Sequence, residues 1–253
     1  MTDRSIASGM AELKQPYLSD PTSRCAVPVE WDLIERELFA ADEAGFRFSL
    51  HCQGDGAVGH VVDLYERCRR DASGRLVNRH AITDMELSDP ADLVRLGAMG
   101  GICEVYPQIQ SLDRRDDLVG MVMRQVGPTR FERYWMRRKM WDSGCVVVGD
   151  TDLPLMLPSI GESIYCGCGG HFDDGGRGRL ENMLTIPEML VAWTRNGAYD
   201  CMAEERLGTL EEGKLADVTV LQADVLHMEP VDARGVNAAL TVSDGRVVYD
   251  ELG

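Results

Sequence analysis

The stretch from Phe46 to His60, FRFSLHCQGDGAVGH, constrains the fold of this chain more than any other. Phe46, Phe48 and Leu50 alternate with polar residues up to His51, a Gly-rich turn with Asp55 follows, and Ala57 opens the helical run AVGHVVDLYERCRR. Period two giving way to period 3.6 across a glycine turn predicts a strand, a turn and a helix. A histidine at the carboxyl end of such a strand stands where parallel α/β folds gather ligands and metals. Taken alone, such a stretch more often holds a histidine bonded to a neighbouring loop.

The alternation recurs along the chain. Residues up to Arg24 show no sustained period and read as a loop entering the fold, with turn chemistry in PYLSDP. Val29 to Gly45 places Trp31, Leu33, Ile34, Leu38 and Phe39 on one helical stripe and closes on a glycine cap. The helix from Ala57 is expected to end at Arg70. Leu76 to Ile82 reads as a second strand running into Asp84. Ser88, Asp89 and Pro90 then start a short helix. Gly101 to Tyr106 is a third strand, Ser111 to Gly127 and Phe131 to Gly144 are helical, and CVVVG (Cys145 to Gly149) is a fourth, buried strand ending near Asp150 and Asp152. Strands alternating with helices imply βαβ units and a parallel sheet, an α/β fold. His51, Asp84 and Asp152 all stand at strand exits, which a parallel sheet gathers at one end.

Beyond Pro154 the chain changes character. CGCGGHFDDGGRG carries Cys166, Cys168 and His171, short of the paired CxxC elements of a zinc site, and Tyr165 to Arg179 reads as a lid or an insertion. Leu184 to Asn196 is an amphipathic helix with a Thr-Pro start, and Ala198 to Glu204 a shorter one. Val218 to Leu221, Asn237 to Val242 and Arg246 to Tyr249 are strands, the last two joined by the hairpin turn SDG. The expected division is a domain over 1–205 and a separate β element over 206–253.

Charge and composition exclude several functions. A net charge of −16 opposes binding to phosphate backbones, so nucleic acid is not an expected partner. Apolar runs such as CVVVG fall far short of the roughly 20 residues of a membrane span, and with no leader pattern a soluble, cytoplasmic chain is expected. The eight cysteines are scattered through strands and helices, as reduced buried thiols are, rather than laid out as a disulfide framework.

Several segments, in order, resemble a known family. SLHCQGDGAV, RHAITDMEL, VVVGDTDLP, LTIPEMLVAWTRNGAYDC, RLGTLEEGKLADVTVLQAD and LTVSDGRVVYD are similar to successive parts of the metal-dependent amidohydrolase superfamily, in the family 3 branch that includes the N-substituted formamide deformylases. The resemblance implies the second half of a TIM-type (β/α)8 barrel, about four parallel strands with their helices, plus C-terminal strands of a small β-sandwich. It implies a divalent metal, zinc or else manganese or iron, and hydrolysis of a small amide-like substrate by metal-activated water. Matched position by position, His51 corresponds to the fifth-strand metal ligand and Asp152 to the eighth-strand Asp that binds metal and accepts the proton of the attacking water. Asp84 stands where the family has a sixth-strand His, which would make the site harder and more charged. His80, inside the same strand, reads as a packed or hydrogen-bonded residue.

The departures are large. None of the five histidines (His51, His60, His80, His171, His227) forms the family's first-strand His-x-His pair, and its fourth-strand Lys has no counterpart, since Lys14 lies in the loop beyond. Half a barrel leaves sheet edges and an apolar interior uncovered. The expectation is therefore a homo-oligomer, a separate N-terminal half as partner, or a truncated product. Two functions stay open: amidohydrolase chemistry at His51, Asp84 and Asp152, or a catalytically silent interaction subunit that keeps the fold.

Overall fold

The computed structural model describes residues 2–253. In chain order the elements are α1 (Trp31–Glu43), β1 (Ser49–Cys52), α2 (Asp55–Tyr65), β2 (Ala81–Asp84), α3 (Pro90–Ala98), β3 (Ile102–Val105), α4 (Arg115–Phe131), α5 (Arg137–Asp142), β4 (Val146–Gly149), α6 (Ile160–Gly167), α7 (Ile186–Trp193), α8 (Arg195–Asp200), β5 (Val218–Leu221), β6 (Ala238–Ser243) and β7 (Arg246–Asp250), with short 3-10 turns between them. The chain divides into two compact units, Met1–Val105 with Asp116–Val147, and Tyr106–Arg115 with Val148–Gly253.

The alternation of strand and helix gives a four-stranded parallel sheet in the order β1-β2-β3-β4, an α/β fold. His51 lies opposite Thr83, and Thr83 opposite Glu104. Alternation along each strand sends Leu50, Cys52, Ile82, Cys103 and Val105 into the core, to which α2 (Val58, Val61, Val62) and α3 (Leu93, Leu96) also contribute buried side chains. The other face carries Ser49, His51, Thr83 and Glu104. Ser49 Oγ donates to Glu104 Oε2 at 2.6 Å, and Arg47 forms an ion pair with the same carboxylate. An apolar interior was expected on that face; it is instead polar and largely paired, because long charged side chains fill it.

Local chemistry sets the boundaries. The strand expected over Leu76 to Ile82 begins only at Ala81: Leu76 pairs with Arg70 across a turn, and Arg79 takes a left-handed φ of 53° that no strand accommodates. The helix expected over Ser111 to Gly127 begins only at Arg115, after a 3-10 turn over Pro107–Leu112, and breaks at Gly127 (φ 76°), before Pro128. Asp89 caps α3 by accepting from Ala91 N, with Pro90 in the first turn. The basic aromatic stretch after Phe131 is packed: Tyr134, Trp135, Met140 and even Arg137, 1% exposed, are buried.

In the second unit, Thr185 and Glu188 form a capping box at the start of α7. β5, β6 and β7 make an antiparallel sheet, and Asp244 and Gly245, both at positive φ, turn the hairpin the sequence announced as SDG. Tyr165, Cys166, His171 and Phe172 are buried, so the segment read as a lid has its first half in the core of this unit. Among the described residues all eight cysteines are free thiols, and no helix is long and apolar enough to cross a membrane.

At the amino end of β2, His80 is locked. Phe48 N–H donates to His80 Nδ1 at 3.1 Å, so the ring proton sits on Nε2, which donates to Asp42 Oδ1 at 2.9 Å. Asp42 also accepts from Asn78 Nδ2 (2.8 Å) and Arg69 N–H (2.9 Å), tying α1 to the chain that enters β2. Asp42→Ala removes the acceptor of buried His80 Nε2 and of Arg69 N–H, and leaves Asn78 Nδ2 only the Asp42 carbonyl. It is expected to cost about 3 kcal/mol or more in urea unfolding, against less than about 0.5 kcal/mol for its exposed neighbour in Glu43→Ala; equal effects would contradict this reading.

Candidate metal centre

His51 is the third residue of β1 and Asp84 the last of β2. Asp84 and Met85 both adopt left-handed backbone (φ 77° and 53°), an arrangement that non-glycine residues keep only where surrounding bonds enforce it. Those bonds are present: Met85 N–H donates to Cys52 O and Leu87 N–H to Gln53 O, each at 2.9 Å, folding the exit of β2 back over the exit of β1. The turn places Asp84 Oδ2 3.1 Å from His51 Nε2, and Gln53 Nε2 donates to the same oxygen.

A third acidic group comes from the N-terminal segment. Asp3, with no exposed side-chain surface, accepts from Glu12 N–H (2.8 Å), Gln53 N–H (2.9 Å) and Gly54 N–H (3.0 Å), and its Oδ1 lies 3.8 Å from His51 Nδ1. Nδ1 itself is buried without a hydrogen-bond partner. Glycine is required at 54, since a Cβ there would fall 2.0 Å from Glu12 O. Below Asp84, the buried Glu86 is hydrogen-bonded to Tyr134.

Electrostatics follow from burial. Burial pushes Asp3 up to about 6 against its three N–H donors. Burial and the Asp84 charge push Glu86 up to about 8. Burial pulls His51 down, but the Asp84 hydrogen bond and the charges of Asp84 and Asp3 outweigh it, and the imidazole ends above its ordinary value. Two carboxylates, Asp84 and Asp3, flank the one imidazole. Two ligands of one tetrahedral zinc, with bonds of about 2.0–2.1 Å, stand about 3.3 Å apart; the His51 and Asp84 donor atoms are near that spacing, and the buried, unpartnered Nδ1 leaves the ring short of a bond. These residues fit a divalent cation.

Asp152 belongs to the second unit. It lies three residues past β4 at φ 51°, exposed, with its carbonyl accepting from Leu155 N–H at 2.8 Å. Asp150 is likewise exposed and accepts from Thr151 N–H at 2.6 Å. Among the described residues one set of three His, Cys or acidic side chains brings its ligand atoms within 4.8 Å of one another: Asp42, Cys68 and His80. Protein bonds occupy both ring nitrogens of His80 and both oxygens of Asp42, and burial pushes the Cys68 thiol up to about 12, far from thiolate. That set is a structural knot. Cys166, Cys168 and His171 form no such set.

The profile of the amidohydrolase family matches residues 1–249. The chain belongs to this family. It is 23% identical to a Bacillus subtilis protein named amidohydrolase YtcJ over 98% of this chain, and 24% identical to the N-substituted formamide deformylase of Arthrobacter pascens over 84%. It spans 46% and 38% of their lengths, so it accounts for less than half of either relative. An uncharacterised metal-dependent hydrolase of Pyrococcus horikoshii shares the fold, with a TM-score of 0.74 at 21% identity over 90% of this chain and 44% of that one.

Strand-end position pointed to His51 and Asp84, and the structure brings them together. Asp3 and Glu86 escaped the sequence reading because neither lies on a periodic face. Carboxyls raised in the folded chain favour folding when protonated. Their contribution is complete below about pH 4 and is lost as the pH climbs through about 6 for Asp3 and about 8 for Glu86. His51, also raised, contributes below about pH 6.5 and loses that contribution above its folded value. The metal-free protein is therefore expected to lose stability from pH 5 to pH 9, and Glu86→Gln to lose less of it, in urea titrations at both pH values. An unchanged slope in the variant would contradict the assignment.

Proposed function

We propose that this chain provides part of a metal-dependent hydrolase site that cleaves C–N bonds, other than peptide bonds, in small amide-like molecules. The observation that carries this reading is the 3.1 Å approach of His51 Nε2 and Asp84 Oδ2 at the exits of adjacent parallel strands, in a chain of the amidohydrolase family. His51 and Asp84 would hold the cation, with zinc the first candidate and manganese or iron suited to the added carboxylate. Asp152, at the exit of β4, would be the residue that takes the proton from the attacking water. When bound, a divalent cation lowers the pKa of water toward neutrality and polarises a carbonyl. His51 serves by presenting a neutral nitrogen. Asp84 would offset cationic charge beside it, and Asp152 would return its proton to the leaving nitrogen.

The reading includes a partner. The chain spans less than half of its curated relatives, and β1 is an edge of its sheet. Phe48 O and Cys52 O accept from β2 and the chain following it, so Ser49 and His51 turn their backbone groups outward, where His51 O accepts from Thr2 N–H at 3.2 Å. A groove of about 430 Å³ runs beside this edge, lined by Val27, Leu33, Ile34, Phe48 and Leu50 among others. A second polypeptide, the remaining half of a (β/α)8 barrel or a second copy, adds its strands there, and β5 to β7 belong to a small β-sandwich. The absence of a His-x-His pair in the sequence favours one alternative, a silent subunit that retains the fold.

Elemental analysis separates the two. Roughly one metal per purified chain is expected, absent from His51→Ala. Hydrolysis of a simple N-formyl or N-acyl amine, in the presence of the completing half, is expected to drop ~100-fold or more in Asp152→Asn. Metal-free wild type with no amide hydrolysis would overturn the hydrolase reading in favour of the silent subunit.

A further inference from the structure

We infer that Asp3 is a positioning residue for His51, holding the imidazole with its proton on Nδ1 so that Nε2 is the nitrogen left to coordinate. The inference rests on the metal reading given above and names a residue that reading does not use. Three features carry it. Asp3 is a fixed carboxylate: it has no exposed side-chain surface, Oδ2 is held by Glu12 and Gly54 N–H groups, and Oδ1 by Gln53 N–H. It bridges the N-terminal segment and the turn that follows β1, so its position is set by backbone at both ends. Oδ1 keeps a lone pair, and the group facing it is His51 Nδ1 at 3.8 Å, a buried nitrogen with no hydrogen-bond partner.

That distance is too long for a hydrogen bond, yet the ring has carboxylates on both sides. Asp84 Oδ2 stands 3.1 Å from Nε2 and draws a proton to that nitrogen in the metal-free chain. A cation at Nε2 displaces that proton. A neutral imidazole bound through Nε2 must then carry its remaining hydrogen on Nδ1, and Asp3 Oδ1 is the acceptor placed to receive it after a shift of under about 1 Å toward ordinary N–H···O length. Carboxylates that orient a ligating imidazole in this way fix the tautomer and raise ligand basicity, and their loss weakens metal binding about 10–100-fold.

Asparagine at position 3 discriminates orientation from bulk. It is isosteric, but it has one acceptor oxygen for three backbone N–H groups and His51. With that oxygen kept on Glu12 and Gly54, its NH2 group faces His51 and donates to Nδ1, favouring the wrong tautomer. The test uses the full chain with selectively 15N-labelled histidine and zinc alone as the probe. The His51 signals are assigned by their loss in His51→Gln, and zinc affinity is measured by chelator competition. In zinc-loaded wild type, long-range 1H–15N spectra are expected to place the His51 proton on Nδ1. Asp3→Asn, with unchanged circular dichroism, is expected to bind zinc about 10–100-fold more weakly. Zinc uptake with the proton on Nε2, or wild-type zinc affinity in Asp3→Asn, overturns this inference and leaves the metal reading intact. Failure of wild type to take up zinc overturns both. If Asp3→Asn does not fold, the wild-type spectrum decides alone.

Discussion

In a parallel pair, side chains at the strand exits project from the same end of the sheet, and in β1 and β2 this brings the His51 imidazole to 3.1 Å from the Asp84 carboxylate. Two left-handed residues in succession and a buried Glu86 raised to about 8 are unfavourable terms, held in place by the hydrogen bonds that fold the end of β2 over the end of β1. Acidic groups crowded in this way are tolerated where a cation can meet them.

The same two strands carry a second histidine–aspartate pair, and the contrast is instructive. His80 and Asp42 at the amino end are satisfied on every polar atom: each ring nitrogen has a partner, and burial lowers the imidazole below its ordinary value. His51 at the carboxyl end has one nitrogen against a carboxylate and the other buried without a partner, and it is raised. Residue types and separations are similar in the two pairs. The first closes its bonds within the protein and serves packing; the second leaves a bond unmade at the end of the sheet where parallel α/β folds place their chemistry.

Much of this was legible in the sequence. The switch from period two to period 3.6 around His51 and the apolar run of β4 gave the parallel sheet, and SDG gave the β6–β7 hairpin, because those signals are local. Asp84 was placed at a strand end from the same periodicity, although the strand starts five residues later than its apolar pattern suggests, since a left-handed Arg79 and the Arg70–Leu76 pairing take the first residues into a turn. Asp3 was invisible: its role arises from three backbone donors some nine to fifty residues away, which no local pattern records. The polar sheet face was missed for a related reason, since Arg47 and Glu104 become partners only through the pairing of strands.

The central claim is that this chain gathers a metal at the carboxyl ends of β1 and β2. X-ray absorption at the zinc K-edge of the zinc-loaded protein tests it most directly, because the two places where metal-binding side chains converge differ in sulfur. The account predicts a first shell of nitrogen and oxygen only, at about 2.0–2.2 Å, with imidazole scattering from His51. A sulfur ligand at about 2.3 Å would place the metal at Cys68 with Asp42 and His80, and would contradict it.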